Sequence, residues 1–348
     1  MSFSAHEALF FFGAGASAPF GIPTMKQFVL DFEEKLKQKG TVKERNIYAQ
    51  IKSSLEERLH DSVDLEGVFT VIDGIINCCP DRLGLLSIYL ASKIRQPTES
   101  EVKTCRHLKQ IFHSFVREKC LIPDSSFGKI SQVYSDFFNR LCVESDTQNV
   151  LYLSRGKYRY CANWGMFTTN YDTCLEHYWR QVARVNLNTA TKAREETRTW
   201  ILDPELITVQ GLSLFKLHGS ISWLLESDGT ITEEQALMGR QLLGRHFIGE
   251  MMVYPIQQKE LYLEPYISMF KQLNRQLRLK PVWIVIGYSF NDPVIQEIFV
   301  RNSSEDKRIV LVHPDARKVK ETRLKDVKCK YWTTLNRRFG EEDFTSVI

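Results

Sequence analysis

The chain has 348 residues and a formal charge of +4, with 43% hydrophobic and 25% charged residues, enough to bury a large core as one large domain or two smaller ones. A charge this small gives no ground for nucleic-acid binding, and no apolar run approaches the roughly 20 residues that span a bilayer. Eight cysteines without a secretory signal point to reduced thiols in a cytoplasm.

Leu9-Phe10-Phe11-Phe12 is an apolar run with β propensity that stops at Gly13-Ala14-Gly15-Ala16-Ser17 and continues through Gly21-Ile22-Pro23-Thr24. This order reads as a strand delivering its C-terminal end to a phosphate. Glycines at 13 and 15 allow positive φ and leave no side chain between backbone amides and an anion. An ordinary tight turn between strand and helix is the alternative. The loop is not a P-loop, because Gly21 is followed by Ile22 and not by Lys-Ser/Thr. It also departs from the hydride-transfer fingerprint: Ala18 follows Ala16-Ser17, and Asp31, Glu33 and Glu34 fall inside an amphipathic helical pattern. The apolar start has no basic residue before Lys26, which argues against a signal peptide.

Met25 to Lys39 places Phe28, Phe32 and Leu36 at helical spacing. From Gly40 to about Val150 the pattern predicts helices near residues 45–59, 64–76, 83–94, 102–119 and 132–143, punctuated by Pro80, Pro97 and Pro123. That is more than a crossover needs, so the expected organisation is an α/β domain from residues 1–39 and 151–348 with a helical insertion at 40–150. The insertion reads as a packing or oligomer surface. Asp64-Leu65-Glu66 suits a helix start, with a catalytic carboxylate pair as the alternative. Cys105, His107, His113 and Cys120, with Cys78-Cys79, have irregular spacing and no C-x-x-C, which favours buried helical cysteines over zinc.

Strand and helix then alternate. Trp164 to Thr168 reads as a strand, Asn170-Tyr171-Asp172 as the opening of a helix to about residue 185, and residues 212–217 as a strand ending at His218-Gly219-Ser220. Residues 250–254 form another strand candidate closed by Pro255, followed by a helix at 260–277. Val282 to Ile286 ends at Gly287-Tyr288-Ser289-Phe290-Asn291-Asp292 before Pro293, and Arg308 to Val312 ends at His313-Pro314-Asp315. Tyr331 to Leu335 is the last candidate. The basic stretch 318–330 is interrupted by Glu321 and Asp326 and reads as a solvated helix face. The fold expected is α/β, with a Rossmann-like, mainly parallel sheet, helices on both faces and the helical insertion. Polar residues repeatedly follow apolar strands, which is the ligand-binding edge of such a sheet. Taken singly, Asn170 and Asp172 suit helix caps, His218 a core histidine, and Gly287 with Ser289 a turn.

Together, Gly13-Ala14-Gly15-Ala16-Ser17 with Gly21-Ile22-Pro23, Thr168-Thr169-Asn170-Tyr171-Asp172, Lys216-Leu217-His218-Gly219-Ser220 and Gly287-Tyr288-Ser289 resemble the ordered motifs of the sirtuin family, over roughly residues 8–39 and 160–315. The resemblance implies that Gly13, Ala14, Gly15 and Ser17 hold the pyrophosphate of NAD. Asn170 and Asp172 would face nicotinamide and its ribose, and His218 would be the catalytic histidine. Gly287 and Ser289 would line the phosphate and adenosine-ribose side, with Thr169, Asp292 and His313 completing the binding edge. Sirtuin deacetylases carry a zinc ribbon of two cysteine pairs after the histidine motif, whereas here only Cys329 follows His218. In this, in the helical insertion and in the wording Phe167-Thr-Thr-Asn-Tyr-Asp172 and Gly287-Tyr-Ser-Phe-Asn-Asp292, the chain resembles the zinc-free, sirtuin-like NADases of prokaryotic antiphage defence.

That resemblance implies hydrolysis of NAD to nicotinamide and ADP-ribose in abortive infection, without zinc. Nicotinamide departs as a neutral molecule from a pyridinium, so the site must supply a shaped pocket, stabilisation of an oxocarbenium-like centre and a placed water. His218 would act as base, Asn170 would hold a hydroxyl and the water, and Asp172 would orient and offset positive charge. An NAD-dependent protein deacylase and a non-catalytic NAD or ADP-ribose sensor are the alternatives. Control would come from homo-oligomer assembly or a partner such as a HerA-like DNA-translocating ATPase or an Argonaute-type sensor.

Overall fold

The structure is a computed structural model that describes residues 7–59, 65–77, 97–143, 150–152, 159–161, 163–194, 199–234, 247–252 and 264–341. In chain order the strands are β1 (Ala8–Phe12), β2 (Val150–Tyr152), β3 (Arg159–Cys161), β4 (Trp164–Thr168), β5 (Leu187–Asn188), β6 (Thr191–Arg194), β7 (Thr199–Leu202), β8 (Leu212–Lys216), β9 (Gly219–Glu226), β10 (Ile231–Glu233), β11 (Phe247–Met252), β12 (Val282–Ile286), β13 (Arg308–Val312) and β14 (Tyr331–Leu335). The helices are α1 (Met25–Lys39), α2 (Val42–Leu59), α3 (Leu65–Asn77), α4 (Glu99–Cys120), α5 (Phe127–Val143), α6 (Cys174–His177), α7 (Tyr266–Leu279), α8 (Pro293–Arg301) and α9 (Ala316–Thr322). Among them none is long and apolar enough to cross a membrane.

These residues group into two compact units. One holds the described residues of Met1–Ile22, Cys120–Met252 and Glu260–Ile348, and the other those of Pro23–Lys119. The division falls elsewhere than the expected 39/40 and 150/151. Helix α1 goes with the helical unit because its apolar face packs there: Phe32 meets Tyr48, Phe69, Phe112 and Phe115 at centroid distances of 5.2–5.6 Å. Gly40 ends α1 by returning its N–H to Leu36 O.

The sheet unit is built on seven parallel strands in the order β14-β13-β12-β1-β4-β8-β5. An all-parallel sheet needs both faces covered, which is why β1 reads as an unbroken apolar run. Its alternating side chains serve two layers. Phe10 and Phe12 face α5, packing against Phe137 and Phe138 at 6.2–6.5 Å, and Phe10 also lies 5.3 Å from Trp164. Phe11 faces the opposite side and meets Phe299 of α8 at 5.4 Å, which also receives Trp283 at 5.3 Å. Helices therefore cover both faces, as the sequence predicts. Each such aromatic contributes about 1.5–3 kcal/mol by burial.

Four expectations change. Residues 250–252 belong to β11 in a second, antiparallel sheet of order β11-β9-β10-β7-β6, not to the parallel sheet. The strand after His218, β9, follows β8 across a two-residue turn and enters that second sheet. The helix expected over 170–185 is short: α6 passes directly into a π-turn at Tyr178–Val182, with Ala183 N–H bonded to Tyr178 O. The widened turn seats Trp179 on Phe138 at 4.5 Å. The helix expected from 260 is described as Tyr266–Leu279. Residues 83–94, Asp64, Cys78, Cys79, Tyr254 and Pro255 lie outside the described residues.

Candidate active site

The loop after β1 is held by backbone packed on backbone. The N–H groups of Gly13 and Gly15 donate to Ile286 O and Gly287 O, both at 2.9 Å, and those of Ala16 and Ser17 donate to Gly13 O and Ala14 O. A Cβ on Gly13 would stand 2.6 Å from Gly287 O, and one on Gly15 would stand 2.7 Å from Gly287 Cα. The glycines thus allow the loops after β1 and β12 to touch. The sequence assigned their amides to a ligand, whereas these four are engaged within the chain. Ala14 follows Gly13 in a short 3-10 turn in the same loop.

Asn170 fastens this loop to the end of β4. Its Nδ2 donates to Gly13 O at 2.9 Å and to Ser17 Oγ at 3.0 Å, while its backbone N–H donates to Thr168 Oγ1. Both side-chain donors are spent, which leaves Oδ1 as its acceptor. Thr169 continues the strand ladder by donating its N–H to Phe12 O. Ser17→Ala is expected to cost about 1 kcal/mol in thermal or urea unfolding, by stranding one Asn170 N–H.

Asp172 is buried and accepts from the N–H of Cys174 at 3.0 Å, at the start of α6. The residue that sets this turn is Lys216, to which the sequence reading gave no role. Its side chain is 2% exposed, and Nζ donates to Tyr171 O at 3.2 Å, to Asp172 O, and to Glu176 Oε1 at 2.9 Å. Three donors meet three acceptors, so the ammonium is fully satisfied. Burial lifts the Glu176 carboxyl above its usual range, against the lowering pull of Lys216. A lysine closing a wholly buried strand was the signal that could have found it.

His218 sits in the turn between β8 and β9 and is buried. Its Nε2 lies 3.2 Å from Asp292 Oδ2, within ion-pair distance but off the line of a hydrogen bond. Asp292 caps α8: Oδ1 accepts from Val294 N–H at 2.8 Å and Ile295 N–H at 3.2 Å, with Pro293 at the first helical position. Burial pushes its carboxyl up, but His218 and the two amides outweigh that and hold it below the ordinary range. The loop leading to it is bent through Gly287 at φ 65° and Phe290 at φ 56°. The strain at Phe290, of order 1–3 kcal/mol, is held by packing of its ring against Tyr288 at 4.8 Å and Phe299 at 5.0 Å. Ser289 lies in the same loop, half-buried.

The structure therefore joins Gly13, Ser17 and Asn170, joins Gly15 to Gly287, and joins His218 to Asp292. His313 follows β13, and its Nδ1 accepts from the N–H of Asp315 at 3.0 Å, so this ring nitrogen serves its own turn. The cysteine and histidine group of the helical unit divides: Cys105 is buried, and His107 pairs with Glu44. Among the described residues no cluster of three or more His, Cys, Asp or Glu could hold a metal ion.

A parallel sheet whose strands β1, β4, β8 and β12 bring glycine, amide, imidazole and carboxylate groups to one carboxyl edge defines an α/β protein of the open-sheet class, a class whose ligands sit at that edge. Residues 165–335 match the model of the SIR2-like domain family. β1 and its loop lie outside the matched segment. Among solved structures, the chain is similar to an ADP-ribose complex of a Sir2 homologue variant, at 14% identity and TM-score 0.40 over 96% of this chain and 87% of that one. It is also similar to a Sir2 homologue–NAD complex, at 13% identity and TM-score 0.39 over 97% and 87%, and to Sir2Tm with a propionylated peptide, at 13% and 0.36 over 97% and 90%. No curated protein matches the chain.

Proposed function

We propose that this protein hydrolyses NAD at the nicotinamide–ribose bond, giving nicotinamide and ADP-ribose. The observation that carries the reading is His218, buried and 3.2 Å from Asp292, at the sheet edge where Asn170 fastens the glycine loop. It is supported by the SIR2-like match across β4 to β14. The residues fit such a substrate chemically: a buried imidazole set beside an acid held ionised, and an amide oxygen whose donors are spent.

The bond to nicotinamide breaks with both electrons going to the pyridinium nitrogen, so no acid is needed for departure. His218 would accept the proton of the attacking water, whose position Asn170 Oδ1 would fix by accepting its second hydrogen bond. Asp172, bound to the amide of Cys174 and backed by Lys216, would keep the turn carrying Asn170 in place.

Mass spectrometry of products from assembled wild type, Asn170→Ala and His218→Ala tests this. Nicotinamide and ADP-ribose are expected from wild type, with turnover lower by about 10²–10⁴-fold in His218→Ala. Cleavage equal in wild type and His218→Ala would sink the reading, and acyl-ADP-ribose from an added acylated peptide would mark a deacylase instead. As part of the same proposal, the activity depletes cytoplasmic NAD in antiphage defence and is released by homo-oligomer assembly or by a HerA-like or Argonaute-type partner. A strain in which phage infection leaves NAD levels unchanged would remove that part alone.

A further inference from the structure

We infer that Asp292 is a positioning residue for His218, holding the imidazole with its proton on Nε2 so that Nδ1 is the nitrogen that takes up a proton in the reaction. Its catalytic consequence rests on the NAD-hydrolase reading, while the tautomer itself does not.

Both side chains are withdrawn from solvent, His218 at 6% and Asp292 at 8% exposure, with Nε2 and Oδ2 3.2 Å apart. The carboxylate cannot turn away, because its other oxygen is fixed by the amides of Val294 and Ile295. Capping alone uses only Oδ1. The second oxygen is thereby left facing the ring. An ionised carboxylate accepts and never donates, so the neutral imidazole beside it is favoured with N–H at Nε2 and a lone pair at Nδ1. The carboxyl is held below its ordinary range, which keeps it ionised at neutral pH. The backbone reinforces the placement: Phe290, at φ 56° and packed between Tyr288 and Phe299, sets the bend that brings Asp292 to the start of α8.

In the step itself, an O–H bond of the attacking water breaks and an N–H bond forms at Nδ1. The imidazolium so formed lies beside Asp292, which stabilises it and takes no proton.

The test is Asp292→Asn in the full chain. Asparagine keeps an oxygen for the two cap amides but turns a donor toward Nε2, which favours the opposite tautomer. Two-bond proton–nitrogen correlation spectra of protein labelled at histidine nitrogens read the tautomer directly, with His218→Gln identifying the signal. Wild type is expected to show Nε2 protonated and Asp292→Asn to show Nδ1 protonated. Turnover of NAD should fall on the order of 10³–10⁴-fold in the variant, with KM changed far less. A wild-type signal from the Nδ1–H tautomer, an unchanged pattern in Asp292→Asn, or wild-type turnover in the variant would each overturn the assignment. If wild type cleaves no NAD, the hydrolase reading falls and the spectra decide the pairing by themselves.

Discussion

Lys216→Met is expected to lower the free energy of unfolding by about 3–5 kcal/mol, the range for stripping one member from a buried ion pair. The loss has two sources. Glu176 is left buried without its cation, and the carbonyls of Tyr171 and Asp172 lose their shared donor. The first source depends on pH. Glu176 already has its carboxyl raised by burial, and without Lys216 it is raised further, so the folded variant binds a proton that the unfolded chain releases near pH 4.3. A raised carboxyl pKa costs stability as pH climbs above the unfolded value. Urea titrations should therefore show the gap between variant and wild type widening from about pH 4 toward neutrality. The double variant Lys216→Met/Glu176→Leu should recover most of the stability, because a well-packed apolar pair replaces the ions at little net cost. It should not recover the proposed NAD cleavage, since the Asn170–Asp172 turn still lacks its donor. A single variant as stable as wild type at neutral pH would show that the pair braces nothing.

Gly287→Ala is expected to be nearly as damaging for a different reason. A Cβ there would lie 2.3 Å from Ala16 N and 2.4 Å from Gly15 C, both backbone atoms that cannot swing aside, and φ is +65°. The left-handed backbone costs about 1–2 kcal/mol for a residue with Cβ, and forcing two packed loops apart adds about 1–3 kcal/mol. The expected sum is about 3 kcal/mol in thermal unfolding, with the proposed NAD cleavage lost because Gly15 N–H and Gly287 O part company. Gly229→Ala is the control, since φ is +85° there but nothing lies within 4 Å of the added carbon. If both variants lose the same amount, backbone conformation alone is responsible and the contact between loops carries no weight.

Most of the parallel strands were legible as short runs stopped by glycine, asparagine or histidine, whereas β5, only Leu187–Asn188, carries no such pattern. β4, β12, β13 and β14 lie where the pattern put them. The antiparallel sheet was not, because β6, β7 and β10 are short, with mixed polarity, and Gly219 looked like the end of β8 where it is the first residue of β9. At the site, the sequence singled out Asn170, His218 and Asp292 through their places after strands. Their pairings were beyond it, since a linear order does not say that Asn170 spends its amide on Gly13 and Ser17, or that Asp292 crosses to His218. Lys216 was hidden for a related reason. A lysine beside a histidine motif looks solvent-facing until the turn that it fills is seen.

The place of β1 in the sheet bears on how the protein comes to be made. Residues 8–12 leave the ribosome well before their partners, since they pair in parallel with residues 165–168 on one side and 282–286 on the other. Contacts so distant along the chain close late and fold slowly. Until residues 286 and 287 have emerged, Gly13 and Gly15 have no carbonyl to rest on, and until residue 292 has followed, His218 has no carboxylate beside it. A growing chain thus carries its strand-end motifs through most of synthesis without the pairings that join them, and those pairings form only when the sheet closes late.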